Sequence, residues 1–100
     1  MFVSLKITKS KDDILVAICD YELLNKTIRD GIKKIKISSA FYGDHKIHVD
    51  DKECIESLLS ATMTNLIGKN IIQKALDLKI IHKNAIIWIG DVPHAQSIKC

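Results

Sequence analysis

His94 is the side chain in this sequence best placed to move a proton. It follows Gly90-Asp91-Val92-Pro93. Gly90 leaves an apolar run, and Pro93 fixes φ and removes a backbone donor. The spacing predicts an imidazole on a rigid, extended loop beyond a strand end, a common setting for function. A general base needs an orienting acid or a nucleophile. Asp91 is close in sequence, and no nucleophile can be named. The plainer alternative is that His94 and Gln96 hydrogen-bond loop carbonyls and dock the tail.

Two other groups of residues suggest anion chemistry. Asn65-Leu66-Ile67-Gly68-Lys69-Asn70 reads as a helix start whose free N–H groups, with Gly68 and the Lys69 charge, suit a phosphate. The spacing of a nucleotide-binding Gly-Lys-Ser/Thr loop is absent, and a plain cap at Asn65 with Gly68 for packing is the alternative. Lys33, Lys34 and Lys36 flank Ile35, and Lys46 lies between His45 and Ile47. If those two segments pair, the charges gather into a stripe, with Tyr42 as a stacking ring. RNA-binding sheets combine such groups. A solvated face is the alternative.

His45-x-x-His48 with His82 or His94 is a poor metal site, because zinc wants four well-spaced ligands, commonly with Cys. No metal or cofactor is expected. Cys54 lies on an apolar helix face, where a thiol is inert. The basic set is 14 Lys and a single Arg, Arg29. Lys is a hydrated point charge rather than a fork, so base-specific DNA readout is not expected.

One small domain must position these groups. The chain has 100 residues, 47% hydrophobic and 27% charged, the balance of a folded protein. There are 18 Ile against 5% aromatics, which favours sheet. Val3, Leu5 and Ile7 alternate with polar residues, and Ile14 to Cys19 is continuously apolar, so the first two strands form a hairpin. A short helix follows Asp20 through Tyr21, Leu24 and Ile28. Ile35 and Ile37 lie on a strand, 39–46 is a turn, and Ile47 and Val49 lie on another strand. Asp50 with Glu53 forms a capping box for a helix with Cys54, Leu58 and Leu59 on one face. A second helix begins near Thr64-Asn65, carrying Ile67, Ile71, Ala75 and Leu78. Ala85 to Ile89 is the last strand. The order predicts an α+β fold over residues 1–100, a mostly antiparallel sheet with a two-helix hairpin packed on one face. A short C-terminal tail follows. Three Cys without CxxC spacing, no signal peptide and no membrane span point to a reducing, cytoplasmic setting.

Three stretches together carry a family resemblance: Phe41-Tyr42-Gly43, then Ala61-Thr62 with Asn65-Leu66-Ile67-Gly68, then Gly90-Asp91-Val92-Pro93-His94-Ala95-Gln96. In this order the chain resembles the archaeal family known as domain of unknown function 424. The resemblance implies a small cytoplasmic protein and no particular reaction. It makes an association with translation or RNA unsurprising.

The expectation is a non-catalytic binding module, a ribosome- or RNA-associated accessory protein of archaeal translation. It would use Lys33, Lys34, Lys36 and Lys46, with Lys69 and the His94 loop as secondary contacts. The rival is a small-molecule-binding domain or enzyme centred on His94, Asn65 and Tyr42, which requires those motifs to converge in space. A protein–protein adaptor anchored by Phe41 and Tyr42 is the third reading.

Overall fold

The computed structural model describes residues 1–99. Phe2–Lys9 (β1) and Ile14–Asp20 (β2) form the antiparallel hairpin that alternation predicts, with Leu5 opposite Ile18. After one 3-10 turn at Tyr21–Leu23 come Thr27–Asp30 (β3) and Lys33–Lys36 (β4). Ser39–Tyr42 (α1), His45–His48 (β5) and Lys52–Ser60 (α2) follow. Met63–Ile67 (β6), Lys69–Asp77 (α3), Ile87–Ile89 (β7) and Val92–Ile98 (β8) complete the order.

Six strands make one sheet in the order β5-β1-β2-β6-β8-β7, and β3 and β4 make a separate ribbon. Among the described residues only β2 and β6 run parallel; the other neighbours are antiparallel. Side chains alternate across a strand, and each sheet face has its own core. Val3, Val16, Ile18, Leu66 and Ala95 pack under Cys54 and Leu58 of α2 and Ile71, Ile72 and Ala75 of α3. On the opposite face Ala17, Cys19, Ile67 and Ile89 pack against Ile37 and Tyr42, with Ile28 and Ile35 of the ribbon beside them.

The α+β class and the mostly antiparallel sheet are as expected; the two-helix hairpin is not. β6 stands between α2 and α3, and a third helix, α1, occupies the expected turn. Apolar residues spaced by four at Ile67, Ile71 and Ala75 imitate a continuous helix, but Gly68 takes φ +121° and breaks it. The short helix after Asp20 is a single turn, and Thr27–Asp30 pairs as a strand instead. The α2 cap is Asp51, which accepts from the Glu53 N–H at 2.8 Å. Asp50 pairs instead with Lys74 of α3. Thr62 fastens the sheet, its Oγ1 accepting from Ile14 N–H at 2.8 Å. Among the described residues no helix is long and apolar enough to cross a membrane.

Candidate functional site

His94 does not lie on a loop. It sits in β8, which pairs with β6 on one side and β7 on the other, so Ile67 faces His94 and Asn65 faces Gln96. Pro93 is accommodated opposite Trp88 of the short edge strand β7. Because Leu66 and Ala95 point into the helix-side core, Asn65, His94 and Gln96 point to the other face.

Tyr42 arrives on that face from α1. Ser38 caps the helix by accepting from Phe41 N–H, and Gly43 lets the chain pass close to the Leu5 carbonyl. Ser4 Oγ donates to the Tyr42 carbonyl at 3.1 Å. Tyr42 then packs with the small side chains of Ala17 and Cys19. Its hydroxyl donates to Asn65 Oδ1 at 2.7 Å, and His94 Nε2 lies 3.1 Å from the same oxygen. A carbonyl oxygen only accepts, so Nε2 carries the proton and Nδ1 the lone pair. Burial pushes His94 below the ordinary histidine value of 6.5, which keeps the ring neutral.

Two donors on one oxygen fix the orientation of the Asn65 amide. No hydrogen bond among the described residues uses its two N–H groups. No buried side-chain nitrogen or oxygen lacks a partner there, so those N–H groups open to solvent. Three motif segments distant in sequence therefore meet through Tyr42, Asn65 and His94. Ser4 is buried with its hydroxyl engaged. The Cys19 thiol is pushed up to about 12, chiefly by burial and then by Asp20. It is not an available thiolate at neutral pH.

The ribbon holds the second group of candidates. Ile28 faces Ile35, and both pack on the sheet. Arg29 faces Lys34 and Thr27 faces Lys36 on the outward side. Lys33 lies opposite Asp30 beside the tip, where Ile32 is fully exposed. No ion pair among the described residues neutralises Arg29, Lys34 or Lys36. Gly90, at φ +62° in the β7–β8 turn, lies near the Arg29 carbonyl, which a Cβ at that position would meet at 3.5 Å. Arg29 was not singled out from the sequence. The signal was Asp30-Gly31-Ile32 between two alternating segments, which marks a hairpin.

The stripe expected from pairing the Lys33–Lys36 segment with the His45–His48 segment does not form, because β4 and β5 belong to different sheets. Lys46 stands apart, its ammonium 4.8 Å from the Phe2 ring centre and 4.6 Å from that of Tyr21. Lys69 opens α3, and the phosphate cradle read there is filled from within. Asp20 accepts from Asn70 N–H and Ile71 N–H at 3.0 Å each. Lys69 shares a hollow with Asp20, Glu22 and Asp91, which favours a cation over a phosphate. His45 bonds Glu53 at 3.0 Å, and His48 bonds the N-terminal amine at 2.9 Å. Among the described residues no three metal-ligating groups gather.

A family model described as "Protein of unknown function (DUF424)" matches residues 8–100. The chain belongs to this family. No curated protein matches it. A crystal structure of an uncharacterized conserved protein from Methanopyrus kandleri is similar in fold, with a TM-score of 0.82 at 23% identity. That match covers 100% of this chain and 95% of the other. This DUF424 chain thus shares its fold with a solved protein.

Proposed function

We propose that the protein is a non-catalytic RNA-binding module, a ribosome- or RNA-associated accessory protein of archaeal translation, whose contact surface is the outer face of the β3–β4 ribbon. The row of Arg29, Lys34 and Lys36 carries this conclusion. Like charges directly opposite on paired strands destabilise a sheet. A phosphate chain relieves that repulsion and releases counterions. Single-stranded RNA leaves its phosphates open to such a row of cations. Contacts of this kind position the protein and carry little sequence information.

Salt-graded co-sedimentation with ribosomal particles tests the partner. Pelleting at low salt that disappears as salt rises is the expected result. Absence from every particle fraction at low salt contradicts a ribosomal partner.

A small-molecule site on the open sheet face is the second reading, favoured by the convergence of Tyr42, Asn65 and His94. Its test is a metabolite screen read by the chemical shifts of the Asn65 and His94 side chains. Shifts confined to that face would favour it over the ribbon.

A further inference from the structure

We propose that a hollow walled by Phe2, Tyr21 and Lys46 holds one nucleotide of a single-stranded RNA, its base on the aromatic rings and its phosphate on Lys46. This rests on the RNA-binding reading above and adds a base-stacking site to it, since the outward row of the ribbon carries cations and no ring. Tyr21 belongs to the single turn that leads from β2 toward the ribbon, which opens at Thr27. Thr27 is paired with Lys36, so Lys36 stands at the end of the cationic row nearest to Tyr21 along the chain. Phe2 comes from β1. Val3 and Leu5 point into the helix-side core, so Phe2 points to the ribbon side of the sheet. His48 lies opposite Phe2 and Lys46 opposite Ser4, which brings both to that side.

The hollow is about 280 Å³, with Met1, Glu22 and Asn70 as its other walls. Phe2 is 50% exposed and Tyr21 37%. The His48 ring meets Phe2 edge-on, with centres 5.5 Å apart. The Lys46 ammonium lies 4.8 Å from the Phe2 ring centre and 4.6 Å from that of Tyr21. No ion pair among the described residues uses it. Exposed ring faces beside an unclaimed cation are what sites for single-stranded nucleic acid combine, one for the base and one for the phosphate. An exposed cation–π contact is weaker than the stacking of a base on a ring. The ammonium therefore gives up the ring faces to a base and turns to the phosphate beside it. Every base has a π face, so the site tolerates all four.

The test is fluorescence anisotropy at one salt concentration, comparing oligo(U) with an abasic oligonucleotide of equal length and charge. Wild type is expected to bind oligo(U) about tenfold more tightly. Tyr21→Ala, on an exposed residue, should remove most of that advantage, and Tyr21→Phe should keep it. In wild type the Phe2 and Tyr21 ring resonances should move upfield with oligo(U) and stay in place with the abasic strand. Equal affinity for the two oligonucleotides, with strong salt dependence, overturns the stacking site and leaves the ribbon reading standing. An advantage for oligo(U) that survives both Tyr21→Ala and Phe2→Ala overturns the assignment to this hollow. Ring shifts that grow with protein concentration in the absence of RNA mean that a second copy fills the hollow, and they overturn the inference too. Failure of both oligonucleotides to bind at low salt overturns the RNA reading and this inference with it.

Discussion

Arg29 and Lys34 stand directly opposite each other across the β3–β4 ribbon, both pointing away from the body of the protein. Nothing within the described residues pairs with either charge. A pair of this kind weakens the ribbon, and reversing one sign should strengthen it. Lys34→Glu is expected to raise stability by roughly 0.5–1 kcal/mol in urea unfolding, while weakening RNA binding. Unchanged or reduced stability would show that the repulsion is already relieved in the free protein.

Tyr42 and Asn65 make the link between α1 and the sheet. Tyr42→Phe keeps the ring and loses the 2.7 Å hydrogen bond, so it should cost about 1 kcal/mol. Asn65→Leu removes the acceptor and leaves the Tyr42 hydroxyl without its partner, which should cost about 1–3 kcal/mol. Chemical denaturation of the two variants measures the difference. Equal losses would argue against the hydroxyl being the part of Tyr42 that matters.

Asp20 and Gly68 are coupled in a different way. A Cβ at Gly68 would come within 2.3 Å of Asp20 Cγ, at a φ of +121° that side chains rarely adopt. Gly68→Ala should therefore displace the carboxylate that caps α3. Asp20→Ala removes the cap alone, at roughly 1–2 kcal/mol. The Gly68→Ala variant should be the less stable of the two, because it adds backbone strain to loss of the cap. A Gly68→Ala protein with wild-type stability would contradict the close approach of Asp20 to this backbone.

Two histidines should titrate on opposite sides of the ordinary value of 6.5. Burial lowers His94, while the hydrogen bond and charge of Glu53 raise His45. Below 6.5 the unfolded chain takes up a proton before His94 does in the folded protein. The His94 contribution to stability is therefore present above 6.5 and lost as pH falls through its folded value. His45 contributes in the reverse sense, present below 6.5 and lost as pH rises through its raised value. Imidazole resonances followed by NMR should place the His94 transition at the lower pH. A His94 transition at or above that of His45 would contradict a neutral ring on Asn65.

Much of the sheet was legible because alternation speaks directly of strands. Val3, Leu5 and Ile7 gave β1, and the apolar run from Ile14 gave β2. The Cys54–Leu58 spacing likewise gave α2. β6 was hidden because its apolar residues fall in step with those of α3, and only the conformation of Gly68 separates the two. β8 was hidden by Pro93, which marks a loop in most settings but here sits opposite the short edge strand β7. Both hidden strands carry the network, so Asn65 and His94 were picked out by type while their meeting was not visible. Arg29 was passed over because its neighbours looked helical. The cap from Asp20 to α3 spans about 50 residues, and no local pattern announces a contact of that length.

The most direct test of the central claim is the salt dependence of RNA affinity for wild type and for Arg29→Glu/Lys34→Glu/Lys36→Glu. Loss of three phosphate contacts should reduce the slope of log affinity against log salt by about 2 for a single strand. Weaker binding with that shallower slope is the predicted result. A triple variant that keeps wild-type affinity and slope would contradict the ribbon as the RNA-contacting surface.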